Sequence, residues 1–236
     1  MRRSLKYILL LIFISCNNKE LPTPLVHYSF SSDTADGQGH LRSLENYGAK
    51  DTTDRFDHPN GAYYFDGKAS SMHIGLHGMP SINNALTVTW WYKTKAEPIF
   101  KDSLDAGNMI ALVDTTQAIG LQFGYRAPGY GTQGLDVWNW GGRTLLQTQK
   151  PALNQWHHCV YTYDGHEHRL FLDGSQVSSS MVSPQDGSPN LLMLGNYPGG
   201  TQFFQGTLDE IRVYDQTLTA NQVQEQFDRE RQQPPQ

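Results

Sequence analysis

Residues 203–227, FFQGTLDEIRVYDQTLTANQVQEQF, combine a predicted strand with a predicted helix. The part TLDEIRVY at 207–214 alternates apolar and polar residues imperfectly, which predicts a strand buried on one face with a special role for its acids. The part TANQ at 219–222 has capping-box spacing, in which the Thr and Gln side chains satisfy backbone N–H groups of the first turn. Apolar residues follow at i, i+4 spacing in 223–227, so we expect a short helix that packs against the strands.

Further strands are predicted upstream of this stretch. Runs rich in aromatic and branched residues occur as LTVTWWYK at 86–93, WHHCVYTY at 156–163, RLFL at 169–172 and LLMLG at 191–195. The second and third runs are each followed by an Asp-Gly pair, and both residues of such a pair tolerate the positive φ of a tight hairpin turn. The pattern predicts antiparallel hairpins.

The composition indicates one all-β domain. The chain has 236 residues with 22 glycines, and short apolar runs are separated by clusters of Gly, Asn, Asp and Pro. A β-sandwich of ~200 residues commonly forms a single domain. We therefore divide the chain into a leader (1–15), a lipid attachment site and tether (16–24), a domain (25–228) and a tail (229–236).

The ordered set of segments resembles the laminin G-like domains of the concanavalin A-like lectin/glucanase superfamily. The most specific part is the glycine, the "DE" pair, the strand ending in tyrosine and the capped helix of 203–227. HYSFSSDTADGQG at 27–39 and AYYFDG at 62–67 are similar to the family's opening segments. The resemblance covers nearly all of 25–228 and implies an all-β fold, a two-sheet antiparallel jelly-roll sandwich with a short C-terminal helix.

The same resemblance implies one structural Ca²⁺ that joins the opening loop to the last strand. Calcium prefers six to eight oxygen ligands from carboxylates, carbonyls and water. The family pattern assigns the ligand role to Asp36, the carbonyl of Gly39, and Asp209, with Asp33 in reserve. The alternative is an Asx-type turn in the loop and a solvated aspartate.

Catalysis is not expected from the sequence, although the fold alone does not decide it. Retaining glycosidases of this superfamily carry a motif similar to E-x-D-x-x-E, which this chain lacks. Asp209 and Glu210 are adjacent, so on a strand they point to opposite faces and cannot flank one bond. A hydrolase or lyase with an unrecognised catalytic set, and a protein-binding adhesion module, remain as alternatives.

A sugar-binding surface is predicted in the glycine-rich region 123–143. Trp138 and Trp140 are two positions apart and share one face of a strand, where aromatic rings can stack on sugars. The further candidate ligand-binding residues are Tyr125, Tyr130, Arg126 and Arg143. The alternative is that the tryptophans fill the space between the sheets.

Four histidines flank the first predicted hairpin: His157, His158, His166 and His168. A two-residue turn at 164–165 would bring three of them to one face, where zinc could bind. A four-residue loop at 164–167 would separate them. Rim histidines and a packed His158 are the favoured interpretation.

The N-terminus MRRSLKYILLLIFISC has a basic start and eight apolar residues, too few for the ~20 that a membrane-spanning helix needs. The segment FISC at 13–16 resembles a bacterial lipoprotein cleavage box. This implies acylation of Cys16 and attachment to the outer membrane, on the cell surface or the periplasmic face. The alternative is a soluble secreted protein.

The charge limits the partners that we expect. Removal of the leader with its three positive residues changes the formal net charge from −5 to −8. Such a chain has no basic patch for nucleic acid and no attraction to anionic lipid, so the lipid alone would hold it at the membrane. A glycan or another extracellular ligand is the predicted partner.

After Cys16 only Cys159 remains, which we expect to be a buried thiol.

Overall fold

The computed structural model describes residues 20–31, 34–39, 43–95, 106–127, 129, 134–139, 143–199 and 202–232. Fifteen strands and one helix lie within them. The elements are β1 (Val26–Tyr28), β2 (Glu45–Tyr47), β3 (Lys50–Thr52), β4 (Ala62–Asp66), β5 (Ser71–Gly75), β6 (Leu86–Lys93), β7 (Ala106–Asp114), β8 (Ile119–Arg126), β9 (Leu135–Asn139), β10 (Thr144–Gln147), β11 (Trp156–Tyr163), β12 (His168–Leu172), β13 (Ser175–Ser180), β14 (Leu191–Leu194), β15 (Gln205–Tyr214) and α1 (Ala220–Glu230).

The strands form two sheets. Sheet A has the order β13-β12-β11-β6-β15-β4-β3, with β1 also paired to β15, and sheet B has the order β10-β9-β8-β7-β14-β5-β2. All strand pairs within them are antiparallel. The predicted all-β jelly-roll sandwich is confirmed, because non-consecutive strands are neighbours in both sheets.

One continuous apolar core lies between the sheets. Trp90 and Tyr92 of β6 face Phe123 and Tyr125 of β8, and all four are buried. The other face of β6 is buried as well, because α1 covers much of it. This second covering explains why Trp91 occurs on a strand face that otherwise carries Thr and Lys.

The two predicted hairpins differ in their loops. Tyr163 pairs with His168, so residues 164–167 form a four-residue loop, closed by the Asp164 carboxylate, which accepts from two loop amides. The second loop has only Asp173 and Gly174, with φ of 50° and 81°. Two consecutive positive φ values are typical of a tight hairpin turn, which an Asp-Gly pair tolerates.

The C-terminal helix begins as predicted. Thr219 and Gln222 form the capping box on α1. Val223 packs with Phe171, Tyr214 and other apolar residues on the outer face of sheet A. The helix therefore covers one end of that face.

The last strand has a bulge at its two acids. The register of β15 with β6 shifts between Asp209 and Arg212, and Glu210 has a φ of 54°. Both acids consequently lie on the outer face, where Asp209 binds Arg55 and Glu210 binds Arg212. The prediction that the two acids point to opposite faces is wrong, because a bulge interrupts strand alternation.

The leader and Cys16 lie outside the described residues. Leu21, within the predicted tether, packs against the outer apolar cluster that contains Val223, and Leu25 donates to the carbonyl of Val213 at 2.7 Å. The chain therefore approaches the sandwich beside α1. Among the residues that the structure covers, no helix combines the length and hydrophobicity required to span a membrane.

Candidate functional site

One row of side chains crosses five strands of sheet A on its outer face. Lys50 pairs with Tyr64, Tyr64 with Thr207, Thr207 with Lys93, and Lys93 with Trp156. We call these five residues the cross-strand row. Neighbouring strands lie about 4.8 Å apart, so the row is about 19 Å long.

An open cavity of about 270 Å³ lies over the cross-strand row. Lys95, Asp51, Thr52 and Thr53 complete its lining. The rings of Tyr64 and Trp156 are half-buried and keep accessible surface. The arrangement offers aromatic rings, hydroxyl groups and ammonium groups on one accessible surface.

Three lysines line this cavity: Lys50, Lys93 and Lys95. The ammonium group of Lys93 lies 5.6 Å from the centroid of the Trp156 ring, within reach of a cation–π interaction. Within the described part of the chain, none of the three lysines forms a salt bridge. Lys50 and Lys95 are exposed, and Lys93 is half-buried.

A buried ionic cluster fixes the end of α1 beside the row. Trp91 Nε1 donates to Glu230 at 2.7 Å, and Arg212 binds the same carboxylate at 2.9 Å. Burial alone would raise the pKa of Glu230, but the positive Arg212 and the hydrogen bonds from neighbouring side chains together outweigh it, and the pKa falls to about 2. Arg55 donates to Asp209 and to the Glu230 carbonyl. These charges compensate one another and hold the helix, which ends before it reaches the cross-strand row.

The predicted sugar-binding residues fall on different faces of sheet B. Arg126 and Trp138 lie together on the outer face, where the guanidinium is 5.2 Å from the indole centroid. Trp138 is therefore not between the sheets, but it is only 3% exposed. Tyr125 faces the core, and its hydroxyl donates to Tyr92 at 3.1 Å. Arg143 is exposed.

Two of the predicted sugar-binding residues, Tyr130 and Trp140, lie outside the described residues. The buried Tyr125 ring does not reach the outer face of sheet B, so it is not part of a surface on which a sugar could bind. Stacking of a sugar on Trp138 needs exposed ring surface, and the buried indole offers little. The role of this surface stays a prediction.

Two of the predicted calcium ligands, Asp36 and Asp209, have partners within the chain. Asp36 accepts from the amides of His27 at 2.9 Å and Gln38 at 3.2 Å, as in the Asx-type alternative. Asp209 binds Arg55 at 2.6 Å, and its burial beside Glu210 raises its pKa. Asp33 is outside the described residues. Within the described residues, no group of three Asp, Glu, His or Cys side chains is placed to hold a metal. Calcium binding stays a prediction.

The four histidines do not form one site. The four-residue loop places His166 at an exposed position. His157 bonds Asp173 at 2.8 Å, and His168 bonds the Tyr161 hydroxyl at 2.7 Å. His158 is 1% exposed and packs against two aromatic rings. The imidazoles of His157, His158 and His168 are thus part of local packing, whereas His166 is exposed.

The sequence interpretation missed the cross-strand row. Lys93 and Trp156 stand at the last and first positions of two predicted strands, where the sequence already shows a polar and an aromatic strand end. Their pairing with Thr207, Tyr64 and Lys50 depends on strand order and register, which no local pattern contains.

Comparison with known proteins places the fold in a family. The family model Laminin_G_3, which belongs to the concanavalin A-like lectin/glucanases superfamily, matches residues 56–224. A search of curated proteins finds no match to this chain.

Solved structures share the fold at low sequence identity. Domain 4 of an extracellular arabinanase from Geobacillus stearothermophilus, in complex with arabinotriose, is 21% identical with a TM-score of 0.58, over 85% of this chain and 96% of that one. A Trypanosoma rangeli sialidase is 14% identical with a TM-score of 0.63, over 87% of this chain and 33% of the sialidase. The binding domain of botulinum neurotoxin serotype G is 10% identical with a TM-score of 0.59, over 87% and 50% of the two chains.

The identities to these structures are too low to show more than the fold, but the family model covers more than half of the chain. Both the sandwich topology and the capped helix agree with it. The chain therefore belongs to the laminin G-like family of the concanavalin A-like lectin/glucanases superfamily.

Proposed function

We propose that this chain is a non-catalytic carbohydrate-binding module, held on a bacterial envelope by a lipid on Cys16. The observation that carries the proposal is the cross-strand row, where two accessible aromatic rings and several hydroxyl groups line one open cavity. Sugar C–H surfaces pack on aromatic faces, and polar side chains read the hydroxyl groups.

The size of the cavity suits a small part of a saccharide chain. Its volume of about 270 Å³ is at the lower limit of the ~300–1,000 Å³ typical of small-molecule sites. Because the cavity is open along a row about 19 Å long, neighbouring sugar units can extend over the sheet. A structural neighbour, the arabinanase domain, was solved with arabinotriose, which supports a saccharide as the ligand class.

The lining favours binding over hydrolysis. Glycosidases of the usual kind need two carboxyl groups beside the scissile bond. Among the described residues that line the cavity, Asp51 is the single carboxylate. The acids of the neighbouring cluster are buried and paired with arginines, so they are occupied in holding α1.

The direction of the proposed tether agrees with capture of an external glycan. Leu21 packs in the same apolar cluster as Tyr214, and Tyr214 pairs with Thr87 near the start of β6. The cross-strand row passes through Lys93, at the other end of β6. The two positions are about 20 Å apart along the strand. A lipid on Cys16 would leave the row at the end of the sandwich remote from the membrane.

Truncation of Trp156 tests the proposal. The full chain is purified in detergent and screened against a glycan array, and the best ligand is titrated calorimetrically. We expect Trp156→Ala to weaken binding at least tenfold, since loss of one stacked ring costs about 1.5 kcal/mol. Tyr47→Ala removes another exposed aromatic side chain, on sheet B, and serves as the matched control.

Equal affinity of Trp156→Ala and wild type would place the glycan elsewhere. The outer face of sheet B, with Arg126, Trp138 and Arg143, is then the next surface to test. Release of reducing sugars or unsaturated products during the titration would contradict the non-catalytic assignment.

The structural Ca²⁺ at Asp36, Gly39 and Asp209 is kept as a proposal. If it is correct, chelation of calcium must lower the melting temperature of the protein.

A further inference from the structure

We infer that the cavity over the cross-strand row selects acidic saccharides, those that carry carboxylate or sulfate groups. The inference rests on the proposed function and specifies its ligand class. Three lysines and one aspartate line the cavity, which gives it a local charge of opposite sign to that of the whole chain, −5. Such a contrast concentrates attraction for an anion at one place on an otherwise repulsive surface.

The clustering of the lysines is a feature of this site. Seven lysines follow Cys16 in the sequence, and three of them line this one cavity. Lys50 and Lys93 belong to the row itself and are separated by three strand spacings, about 14 Å. Lys95 follows two positions after Lys93, beyond the end of β6. Anionic groups on successive sugar units can therefore meet separate ammonium groups.

Four arginines of the sandwich are used differently. Arg55, Arg169, Arg212 and Arg231 each form a salt bridge with a carboxylate of this chain. The three cavity lysines form none among the described residues, although Asp51 lies in the same lining. Their charges are consequently available to a ligand.

The row also provides orientation for the ammonium groups. The Lys93 ammonium lies near the Trp156 ring, so a sugar that packs on the indole has its substituents next to a positive charge. A lysine is a compact charge without the fixed fork of arginine, which suits both the planar carboxylate and the tetrahedral sulfate ester. The shared chemistry is an anionic group on a pyranose or furanose ring.

Paired polysaccharides that differ only in charge test the inference. The carboxylate arm compares polygalacturonate with its methyl ester, and the sulfate arm compares dextran sulfate with dextran, each against the full chain in detergent. We expect the acidic member of at least one pair to bind at least tenfold more tightly at 50 mM salt than the neutral member. The preference should weaken as salt rises, because the Debye length falls to about 8 Å at 0.15 M.

Lysine variants identify the residues responsible. The triple variant Lys50→Met, Lys93→Met, Lys95→Met should lose the preference for the acidic member, whereas Lys68→Met, an exposed lysine of the β4–β5 turn, should keep it. Thermal melts show whether each variant folds. If the triple variant does not fold, the single variant Lys50→Met is tested in its place. A preference that survives in the lysine variants overturns the inference.

The outcome also separates the inference from the proposed function. If the neutral and acidic members bind equally and Trp156→Ala abolishes the binding of both, only the selectivity is overturned. The carbohydrate-binding function then stays in place. Absence of binding to both pairs and to the glycan array would overturn both.

Discussion

His158 illustrates at the residue scale how burial removes a charge. Its ring packs against those of Trp91 and Phe227, with centroids 5.0 and 6.0 Å away. Among the described residues, neither ring nitrogen has a hydrogen-bond partner, and burial lowers the pKa to about 4. The imidazole is neutral at pH 7 and acts as a flat packing group between the sheet and α1.

This burial predicts a loss of stability in mild acid. The unfolded chain binds a proton at His158 as pH falls through about 6.5, whereas the folded chain does so only near pH 4. The free energy of unfolding therefore falls between these two pH values, by about 3 kcal/mol in total, and this contribution is constant above pH 6.5. Urea unfolding at pH 7 and pH 4 measures this loss. The free energy of unfolding of His158→Phe should fall by about 3 kcal/mol less than that of the wild type between the two pH values.

The exposed His166 provides the control. His166→Gln changes a loop residue and should retain the wild-type dependence on pH. If His158→Phe and wild type lose the same free energy of unfolding between pH 7 and pH 4, His158 is not the group responsible.

The docking of α1 is decided at the scale of the element. The capping box makes the helix begin at Ala220, but Phe227 and Glu230 attach it to sheet A through Trp91. The bulge in β15 belongs to the same arrangement, because it brings both acids of the "DE" pair to the outer face beside Arg55 and Arg212. The pair is structural and holds the helix.

Removal of one member of this ionic cluster should destabilise the fold. Glu230→Ala leaves Arg212 without one of its two carboxylates and Trp91 Nε1 without an acceptor. A broken buried ion pair costs about 3–5 kcal/mol, so we expect a loss in that range by urea denaturation. Glu225→Ala, an exposed acid of the same helix, should change the stability by less than about 0.5 kcal/mol. Similar losses in the two variants would show that the cluster contributes little.

For the whole molecule, the outer face of sheet A has one covered end and one open end. The helix and the Leu21 segment cover one end, and the cross-strand row stays open at the other. This division is consistent with a tethered module whose binding surface points away from its anchor.

The proposed anchor gives a prediction at this scale. Cys16→Ser removes the acylated thiol, so the protein should move from the membrane fraction to the soluble fraction, with an unchanged melting temperature of the sandwich. Mass spectrometry of the wild-type protein should find a chain that begins at an acylated Cys16. Membrane retention of the Cys16→Ser variant, or an intact leader in the wild-type protein, would contradict the lipoprotein assignment.

Local patterns in the sequence were sufficient for the elements. The limits of β6 and β11 agree with the predicted strands, and the capping box at Thr219 agrees with the predicted helix start. Alternation, turn residues and caps act over a few neighbouring residues, and together with the family resemblance they predicted the two-sheet sandwich.

Only the tertiary structure decided which residues form the candidate site. The members of the cross-strand row come from five strands that are distant in sequence, and they meet because strand order and register align them. The bulge at Glu210 and the burial of Trp138 also depend on packing against other parts of the chain. Register and burial result from the free energy of the whole core, so short sequence patterns do not specify them.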